Sequence, residues 1–464
     1  MKSSSGISGC LKCLHKGQSV PYGNGHHVIY SPYIILWKPL RNKKNYLQHL
    51  AKTNSSKKIF EGVKGNCLLS KLKFYDIIRS SNIDMMHSIF LGVMKTLFKY
   101  WFSSTLDRPY CLKSSIDLIN KKLLECRPPN SVAQTPRLVQ DYGNWRAHEF
   151  LNFLLFFSLP VFKETMTSKY FNHFLLLIIS LEKLLSKKIK RIELNLINSM
   201  LIKFVVEADI LYDKDICTSG FHELTHLVSC TFELGPMNDV CCFAFEELNR
   251  KITRSIKGHD LVGAEFLKLW SVSLIFSLKI NSYTEENQFV TFMRDYFSIK
   301  SSNLKMNNNG KVFLRLGKVI NLDMNTINKP LRINIHKLVG EEEVYFYDRI
   351  HMNKILYTRG NNESKFNNSV VRLDEKIGII EFICKSKDSI FLIARNTRKK
   401  SSNFFNDFFK ETPSFFSEFY IMNSFFFIQH TEIHQLKKLF LFYHEKSDQS
   451  LCLISNLSTN HLFS

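Results

Sequence analysis

The sequence predicts an α+β protein, in which a mostly helical part is followed by a small C-terminal antiparallel β domain. Between residues 83 and 278 the apolar residues recur at intervals of three and four, which is the period of helices that bury one face. Beyond Ser301 apolar and polar residues alternate in short runs, as in strands. With 464 residues, 45% of them hydrophobic, the chain is long enough for two or three domains with their own cores.

The helical part opens with its clearest pattern, because Met86, Ile89, Phe90, Val93 and Leu97 fall on one helix face. Further segments share this period and are joined by short polar connectors. Helices are predicted at 83–101, 116–124, 145–157, 168–185, 193–212, 243–256 and 261–278. The residues before position 83 are interrupted by Gly, Pro and Asn turns, so we expect little hydrophobic core there.

The β-rich part consists of short runs separated by clusters of Asn, Gly, Asp and Lys, which predict a small barrel or sandwich. Strands are predicted at 312–316, 344–347, 355–358, 369–373, 378–384, 390–394, 419–427, 439–443 and 451–454. A polar stretch at 301–310 connects this part to the helices. The chain is therefore divided into segments 1–82, 83–234, 235–300 and 301–464.

The chain carries a formal net charge of +22 and has an isoelectric point of about 9.4. So basic a balance favours a polyanionic partner, such as nucleic acid or an anionic membrane surface. An alternative is that part of the charge reflects a general enrichment in lysine, since Phe, Asn and Ile are abundant as well.

The cysteine usage and the apolar runs argue against a secreted or membrane protein. Eleven cysteines are scattered along the chain and do not form the dense framework of a small disulfide-stabilised domain. The N-terminus is polar and lacks the apolar run of a secretory signal. The most apolar stretches, 150–162 and 171–181, are shorter than the roughly 18 residues that a membrane span needs.

Two cysteines near the N-terminus have the spacing of zinc ligands. Cys10 and Cys13 are separated by two residues, which allows two thiolates to reach one tetrahedral ion. His15, His26 and His27 follow closely and are candidates to complete such a site. A single C-x-x-C string without a second pair leaves the alternative of two free cysteines open.

A second string of metal-binding type lies far along the chain. His222 and His226 are four residues apart, and Glu223 completes H-E-L-T-H, which matches the H-E-x-x-H string of zinc proteases. A protease of that kind also needs a third ligand and an edge strand, and no glycine-histidine extension follows. A zinc metalloprotease is therefore kept as a minor alternative.

Five stretches, in order and spanning roughly residues 8–275, resemble the transposases of CACTA (EnSpm) DNA elements. No single stretch is decisive, but five in the family's order and spacing are hard to obtain by chance. They are G-C-L-K-C-L-H-K-G at 9–17, I-D-M-M-H-S-I-F-L-G-V-M-K at 83–95, W-R-A-H-E-F-L-N-F-L-L at 145–155, F-N-H-F-L-L-L at 171–177, and H-E-L-T-H-L at 222–227 followed by G-P-M at 235–237 and F-A-F-E at 243–246. In the third stretch, Leu151 or Asn152 stands where the family has a basic residue.

The resemblance implies an RNase H-like fold, in which three carboxylates hold two divalent ions and an all-helical insertion separates the second carboxylate from the third. Two ions about 3.5–4 Å apart would activate the attacking oxygen and stabilise the leaving oxygen in DNA cleavage and strand transfer. Mg²⁺ or Mn²⁺ suits such a site, because hard cations prefer carboxylate oxygens. By resemblance Glu246 corresponds to the third carboxylate and follows Phe245 as the family's glutamate does, whereas Glu247 is the neighbour that could be confused with it.

The resemblance places the first two carboxylates upstream of the C-x-x-C string. Only nine residues precede Cys10 here, so we expect the chain by itself to lack them and to be catalytically inactive. If translation begins upstream of Met1, the same reading frame should encode both aspartates. The C-x-x-C string would then be a structural zinc knuckle of the family, with His87 or another distant residue as a further ligand.

The other family residues, among them His222 and His226, are expected to have structural roles. Asp84 and His87 share a helix face in the insertion and are expected to form a hydrogen bond or a helix cap. Trp145 and Glu149 are expected to fix the packing of the insertion.

Two basic clusters are candidates for contact with DNA phosphates. The first follows Glu246 on the same helix and consists of Arg250, Lys251, Arg254 and Lys257. The second, which could also be a nuclear import signal, is predicted to lie in a loop and consists of Arg395, Arg398, Lys399 and Lys400. For both clusters the alternative is a solvated surface.

Taken together, the sequence predicts a nuclear, transposase-derived protein that retains at most DNA binding or partner binding, in a monomer or an oligomer. The alternative is a domesticated or decaying remnant that acts as an interaction protein without DNA chemistry. Zinc is the expected structural ion, and Mg²⁺ or Mn²⁺ is the cofactor of the parent family.

Overall fold

The protein is a mixed α and β structure whose described strand pairings are antiparallel, which confirms the predicted class at this level. The computed structural model describes residues 6–34, 38–129, 132, 135–256, 258, 262–282, 314–339, 342–352, 355–360, 368–374, 376–386, 389–399, 418–429, 437–438, 440–446 and 449–455. None of the described helices has the length and hydrophobicity that crossing a membrane would require.

The chain folds into two compact units. Unit 1 comprises residues 1–242, 399–420 and 439–464, and unit 2 comprises residues 243–398 and 421–438. The α-helices of unit 1 are α1 (Lys43–Ser56), α2 (Lys95–Ser103), α3 (Ile116–Glu125), α4 (Ala147–Asn152), α5 (Ser158–Phe162), α6 (Ser168–Leu184), α7 (Arg191–Leu211), α8 (Ser219–Leu224) and α9 (Leu227–Leu234).

Two segments of unit 1 are wound more widely than an α-helix. Residues Met86–Met94 form a π-helix that continues directly into α2, and Phe153–Phe157 form a π-helix that connects α4 to α5. Each therefore extends the neighbouring α-helix, so the predicted helices at 83–101 and 145–157 are present with altered winding. Such π-helical turns are uncommon and often occur near functional sites.

The core of unit 1 is an aromatic cluster contributed by helices that are distant in sequence. Phe98 of α2 is fully buried, and its ring centroid lies 5.1 Å from that of Trp145 and 4.9 Å from that of Phe153. Trp101, one turn further along α2, packs edge to face against Phe162 and Phe174. Edge-to-face aromatic pairs stabilise a core beyond the area that they bury.

The N-terminal segment has more structure than the sequence predicts. An antiparallel hairpin forms from β1 (Gln18–Tyr22) and β2 (Gly25–Ile29). Helix α1 begins after Asn42, whose side chain accepts a hydrogen bond from the backbone of Asn45 in a reciprocal cap. Tyr46, Val63 and Ile78 then form a small core. The expectation of little core missed these residues because they meet only through contacts between separate parts of the segment.

The helices of unit 2 are α10 (Phe243–Ser255), α11 (Val262–Ser282) and α12 (Lys329–Val339). The strands that follow α11 are β3 (Leu314–Leu316), β4 (Val319–Ile320), β5 (Tyr345–Tyr347), β6 (Arg349–Met352), β7 (Ile355–Thr358), β8 (Val370–Leu373), β9 (Lys376–Ser386), β10 (Ser389–Lys399), β11 (Glu418–Gln429), β12 (Lys437–Lys438), β13 (Phe440–Lys446) and β14 (Gln449–Ser455). Of these, β13 and β14 belong to unit 1, where they form a hairpin.

Strand β9 organises the sheet of unit 2, because it pairs with β5, β8 and β10. Both faces of the sheet are buried. Leu392 and Ala394 of β10 join one cluster of core residues, and their neighbours Phe391 and Ile393 join another, which includes α12. This alternation follows from the pleat of a strand, which directs successive side chains to opposite faces.

Each of the seven predicted helices overlaps a helix of the structure, and each of the nine predicted strands overlaps a strand, with bounds shifted by a few residues. The sequence did not predict the helices α1, α5, α8, α9 and α12, the β1–β2 hairpin or the short strands β4, β6 and β12. These elements are short, or they have a weak apolar period, and tertiary packing holds them in place. The polar connector 301–310 and position 400 lie outside the described residues.

Replacing Phe98 by alanine should strongly destabilise unit 1. The substitution removes a fully buried ring that packs against Trp145 and Phe153, and such losses cost about 3–5 kcal/mol. Thermal unfolding measures the effect. As the control, Phe74→Ala removes a ring that is 91% exposed and should change the stability by less than about 0.5 kcal/mol. Equal effects of the two substitutions would contradict the described core.

A buried carboxyl group should make the stability depend on pH. Glu182 of α6 is buried, its Oε2 has no hydrogen-bond partner, and burial raises its pKa to about 7. A raised pKa in the folded state stabilises the protein below the unfolded pKa of about 4.5, and this contribution is lost as the pH rises through about 7. Glu182→Gln removes the charge. The melting temperature of the variant should therefore exceed that of the wild type at pH 8 by several degrees, with a much smaller difference near pH 5.

The control for this measurement is Glu207→Gln, which changes a partly exposed glutamate that pairs with Lys203. It should leave the pH dependence of the melting temperature unaltered. If the melting temperatures of the wild type and of Glu182→Gln change in parallel between pH 5 and pH 8, Glu182 is ionised in the folded protein throughout this range, and the prediction is wrong.

Candidate metal centre

Four buried side chains from two distant parts of unit 1 converge on one point. The donor atoms of Cys10, Cys13, His222 and His226 all lie within 4.8 Å of one another. Cys13 Sγ is 3.6 Å from Cys10 Sγ and 3.3 Å from His222 Nε2, and Cys10 Sγ is 3.5 Å from His226 Nε2. Within the described part of the chain, no other group of three or more His, Cys, Asp or Glu side chains is placed to hold a metal ion.

The distances between these donor atoms fit a tetrahedral zinc ion. Zinc binds thiolates at about 2.3 Å and imidazole nitrogens at about 2.0–2.1 Å, which separates the ligand atoms of a tetrahedral site by about 3.5–3.8 Å. Two of the three distances above lie in this range, and the third lies just below it. Two thiolates and two neutral imidazoles also balance the charge of Zn²⁺. The four side chains can therefore hold zinc with little movement.

The cysteine half of the centre is held by a neighbouring extended segment. Cys13 pairs with Leu40 in an antiparallel bridge. The N–H of Leu14 donates to the carbonyl of Pro39, and the N–H of Arg41 donates to the carbonyl of Lys12, each at 2.9 Å. The turn that carries both thiolates is thus hydrogen-bonded on one side along its whole length.

The histidine half lies at a break between two helices. His222 is in the last turn of α8, whereas His226 lies between α8 and α9, so the two imidazoles do not share one continuous helix. Strand β2 reaches the start of α8, because Ile29 bridges to Thr218, the residue that precedes this helix. Gly220 brings α8 close to the Met86–Met94 helix, where a Cβ atom would lie only 2.7 Å from the carbonyl oxygen of Ser88.

Aromatic rings enclose His222. The Tyr30 ring stacks on it at a centroid distance of 4.4 Å, and the His15 ring packs edge-on at 5.1 Å. These contacts restrict the rotation of the imidazole and keep water away from its Nε2 atom. Such packing around a ligand is typical of a structural metal site.

The electrostatics of the centre favour metal binding near neutral pH. The hydrogen bond between Cys13 and Cys10 lowers the pKa of Cys13 to about 7, and Lys38 and Arg41 contribute in the same direction. Burial lowers the pKa of His226 to about 4 and also lowers the pKa of His222. A thiolate and neutral imidazoles are the protonation states that zinc requires.

The surroundings of Glu223, the glutamate of H-E-L-T-H, argue against a catalytic role for this residue. Its Oε2 accepts a hydrogen bond from Ser88 Oγ. Burial raises its pKa to about 8, and the nearby Cys10 and Asp84 contribute to the shift. A zinc protease needs a glutamate that activates a water molecule in an open metal position. Here two cysteines occupy the positions that such a water and a third ligand would take.

The histidines predicted from their proximity to the cysteines do not belong to the group of donors, so this prediction was wrong. His15 is adjacent but only packs against His222. His26 is exposed and His27 is partly exposed on the hairpin, and the side chain of His87 is 60% exposed. The actual partners lie about 200 residues away. The signal for them was present, because C-x-x-C and H-x-x-x-H are each half of a four-ligand site.

The other residues of unit 1 on which the resemblance rests have structural contacts. Asp84 Oδ1 accepts from the backbone N–H of Met86 at 2.9 Å, and Asp84 Oδ2 contacts His87 Nδ1, so the aspartate caps the helix start. Trp145 packs in the aromatic core beside Phe98. Glu149 Oε2 accepts from the N–H of Arg146 at 2.8 Å and caps α4.

In unit 2, Glu246 lies on α10 with its side chain exposed, outside the metal-binding group described above. Arg250 pairs with Glu247 at 2.5 Å. Lys251 and Arg254 are exposed on the same helix, and Lys257 lies outside the described residues.

The second basic cluster does not lie in a loop as predicted. Arg395, Arg398 and Lys399 are on strand β10, and Arg395 forms an ion pair with Glu381. The alternating run 389–399 continues the strand beyond the apolar residues from which it was predicted. Lys400 is outside the described residues.

Comparison of the chain with models of protein families, with curated proteins and with solved structures found no match.

The purified protein should contain one zinc ion per chain, and Cys13→Ala should lose it. Removal of zinc by a chelator should lower the melting temperature by several degrees, because the binding energy of a structural metal contributes to folding. Elemental analysis and thermal unfolding measure the two effects. As the control, Cys67→Ala changes a cysteine outside the centre and should retain both zinc and stability. If the wild-type chain contains no zinc after purification in zinc-supplemented buffer, the proposed metal centre is refuted.

Proposed function

We propose that this protein derives from a CACTA-type transposase and that zinc, bound by Cys10, Cys13, His222 and His226, fastens its N-terminal segment to the helical insertion. The observation that carries the proposal is the convergence of two family strings on one site. The first string holds both cysteines and the fifth holds both histidines, and 209 residues separate Cys13 from His222. A shared metal gives a physical reason for both strings to occur in one family.

The proposed zinc is structural. A catalytic zinc has three protein ligands and an open position for water or substrate, whereas a structural zinc has four protein ligands. The four donors here are all side chains of the protein and are buried. The same feature argues against the metalloprotease alternative, as does the break between α8 and α9.

In the RNase H-like fold that we propose for the parent domain, Glu246 would be the third carboxylate for Mg²⁺ or Mn²⁺. Within the described residues Glu246 belongs to no group of metal ligands, and one carboxylate does not hold two ions. We therefore propose binding, and not DNA cleavage, as the activity of the described part of the chain.

DNA is the proposed partner, which implies a nuclear protein. The net charge of +22 favours a polyanion. Helix α10 presents Lys251 and Arg254 to solvent, one turn apart on the helix that also bears Glu246. In the proposed parent enzyme this helix lies beside the reacting phosphate, so cations on it would contact the DNA backbone.

A protein-binding module is the second candidate function, in which the chain is a remnant without DNA chemistry. It is favoured by an exposed apolar stretch in unit 1, where Leu68 is 78% exposed and Phe74 is 91% exposed. Large apolar side chains in such a stretch are characteristic of surfaces that contact other proteins. DNA binding separates the two candidates.

The chain should bind duplex DNA with an affinity that falls steeply as salt is added, because phosphate contacts release counterions. Replacing both Lys251 and Arg254 by glutamine should weaken binding and reduce the slope of log affinity against log salt by about 2. Electrophoretic shift over a salt series measures both quantities. As the control, Lys187→Gln with Lys188→Gln makes the same charge change at another exposed site.

The control variant should retain the wild-type slope. If wild-type affinity is absent or insensitive to salt, the DNA-binding proposal fails and the protein-binding alternative is favoured. If both double variants weaken binding equally, the charge of the whole chain drives binding and α10 has no special role.

A further inference from the structure

One buried arginine connects the two cysteines of the metal centre. Arg41 is 5% exposed, and its Nε donates to the carbonyl oxygens of Cys10 and Cys13, each at 2.9 Å. These two carbonyls lie at the two ends of the C-x-x-C turn. A single N–H group thereby fixes the distance between the backbone positions of both thiolate ligands.

The segment that carries Arg41 also reaches the histidine half. Lys38 is three residues earlier, and its Nζ donates to Thr225 Oγ1. Thr225 Oγ1 in turn donates to the carbonyl of His222 at 2.7 Å. Residues 38–41 therefore contact both strings of the centre, the cysteine turn through Arg41 and the break between the histidines through Lys38.

The guanidinium group of Arg41 is buried beside the cysteine turn. Burying a guanidinium group is costly unless an anion lies nearby, and the Nη1 and Nη2 atoms of Arg41 are buried without hydrogen-bond partners. Burial lowers the pKa of Arg41, and the neighbouring Cys10, Cys13 and Glu61 oppose this shift. Glu61 is shared, because Lys16 pairs with it at 2.9 Å. The two hydrogen bonds from Nε to the cysteine turn are therefore the contacts that hold this side chain in place.

We propose that Arg41 is a positioning residue of the metal centre, which holds the Cys10–Cys13 turn in its ligating geometry before the metal binds. This inference rests on the proposed zinc site. Because the turn is already ordered, the metal does not have to supply the free energy of ordering it, and binding is tighter. Groups that orient metal ligands in this way typically raise metal affinity by about 10–100-fold.

The test is to titrate the metal-depleted full chain with Co²⁺, which replaces zinc in tetrahedral sites and absorbs visible light. Arg41→Met removes the donor and the charge but keeps an unbranched side chain. It should weaken Co²⁺ binding by about 10–100-fold and change the visible bands at saturation, because the thiolates lose their fixed orientation. Arg41→Lys keeps a donor and a positive charge near the two carbonyls, and it should restore most of the affinity.

The matched control is Arg79→Met, which removes an exposed arginine that pairs with Glu233 outside the centre. It should retain the wild-type affinity and bands. A change in stability alone would not alter the visible bands, so the spectrum distinguishes positioning from a general loss of folding. If Arg41→Met does not fold, Arg41→Gln takes its place with the same expected weakening.

The outcomes separate the two proposals. If the wild type binds Co²⁺ but Arg41→Met has the same affinity and the same bands, the role of Arg41 is refuted and the metal centre stands. If Arg41→Lys binds Co²⁺ as weakly as Arg41→Met does, hydrogen-bond donation to the two carbonyls is refuted as the cause of the tighter binding by the wild type. If the wild type binds neither Co²⁺ nor Zn²⁺, the metal centre fails, and the inference fails with it.

Discussion

The arrangement of unit 1 around the candidate metal centre depends on one constraint: the C-x-x-C turn must pack against the break between α8 and α9. Hydrogen bonds from Leu14 and Arg41 fix the turn on one side, and the bridge from Ile29 to Thr218 fixes the histidine side. Once both are in place, four donor atoms lie within 4.8 Å. A bound zinc ion would then add a cross-link between parts of the chain that are about 200 residues apart, and the stabilisation would be largest for such a long loop.

The centre also explains several unusual features of its surroundings. Arg41 is a buried cation and Lys38 a partly buried one, and neither has a carboxylate as its principal neighbour, which would be unfavourable in an ordinary core. Burial lowers the pKa of both cations, and the neighbouring Cys10 and Cys13 oppose this effect. Burial of His222 and His226 keeps them neutral. The charges of the site are therefore matched only when cysteines, histidines and cations are considered together.

The two units contribute differently to the proposed function. Unit 1 provides a packed aromatic core and a closed centre, which are features of a scaffold. Unit 2 provides α10 with its exposed cations and a sheet that is buried on both faces. A scaffold and a basic helix suit a protein that binds a polyanion, whereas phosphoryl transfer would require acidic ligands that are grouped together. Glu246 is exposed and ungrouped among the described residues.

The sequence by itself determined the elements: helices and strands with a strong apolar period, such as α6, α7 and β9, could be predicted because period alone distinguishes them. It also contained both strings of the candidate centre, but it predicted only Cys10 and Cys13 as zinc ligands and gave His222 and His226 to a structural motif or to the protease alternative. Only the tertiary structure decided that Cys10 and Cys13 meet His222 and His226 and not the nearer His15, His26 or His27. The physical reason is that ligand geometry depends on which backbones pack together, and that packing arises from β2, α8 and residues 38–41, whose contacts leave no local pattern in the sequence.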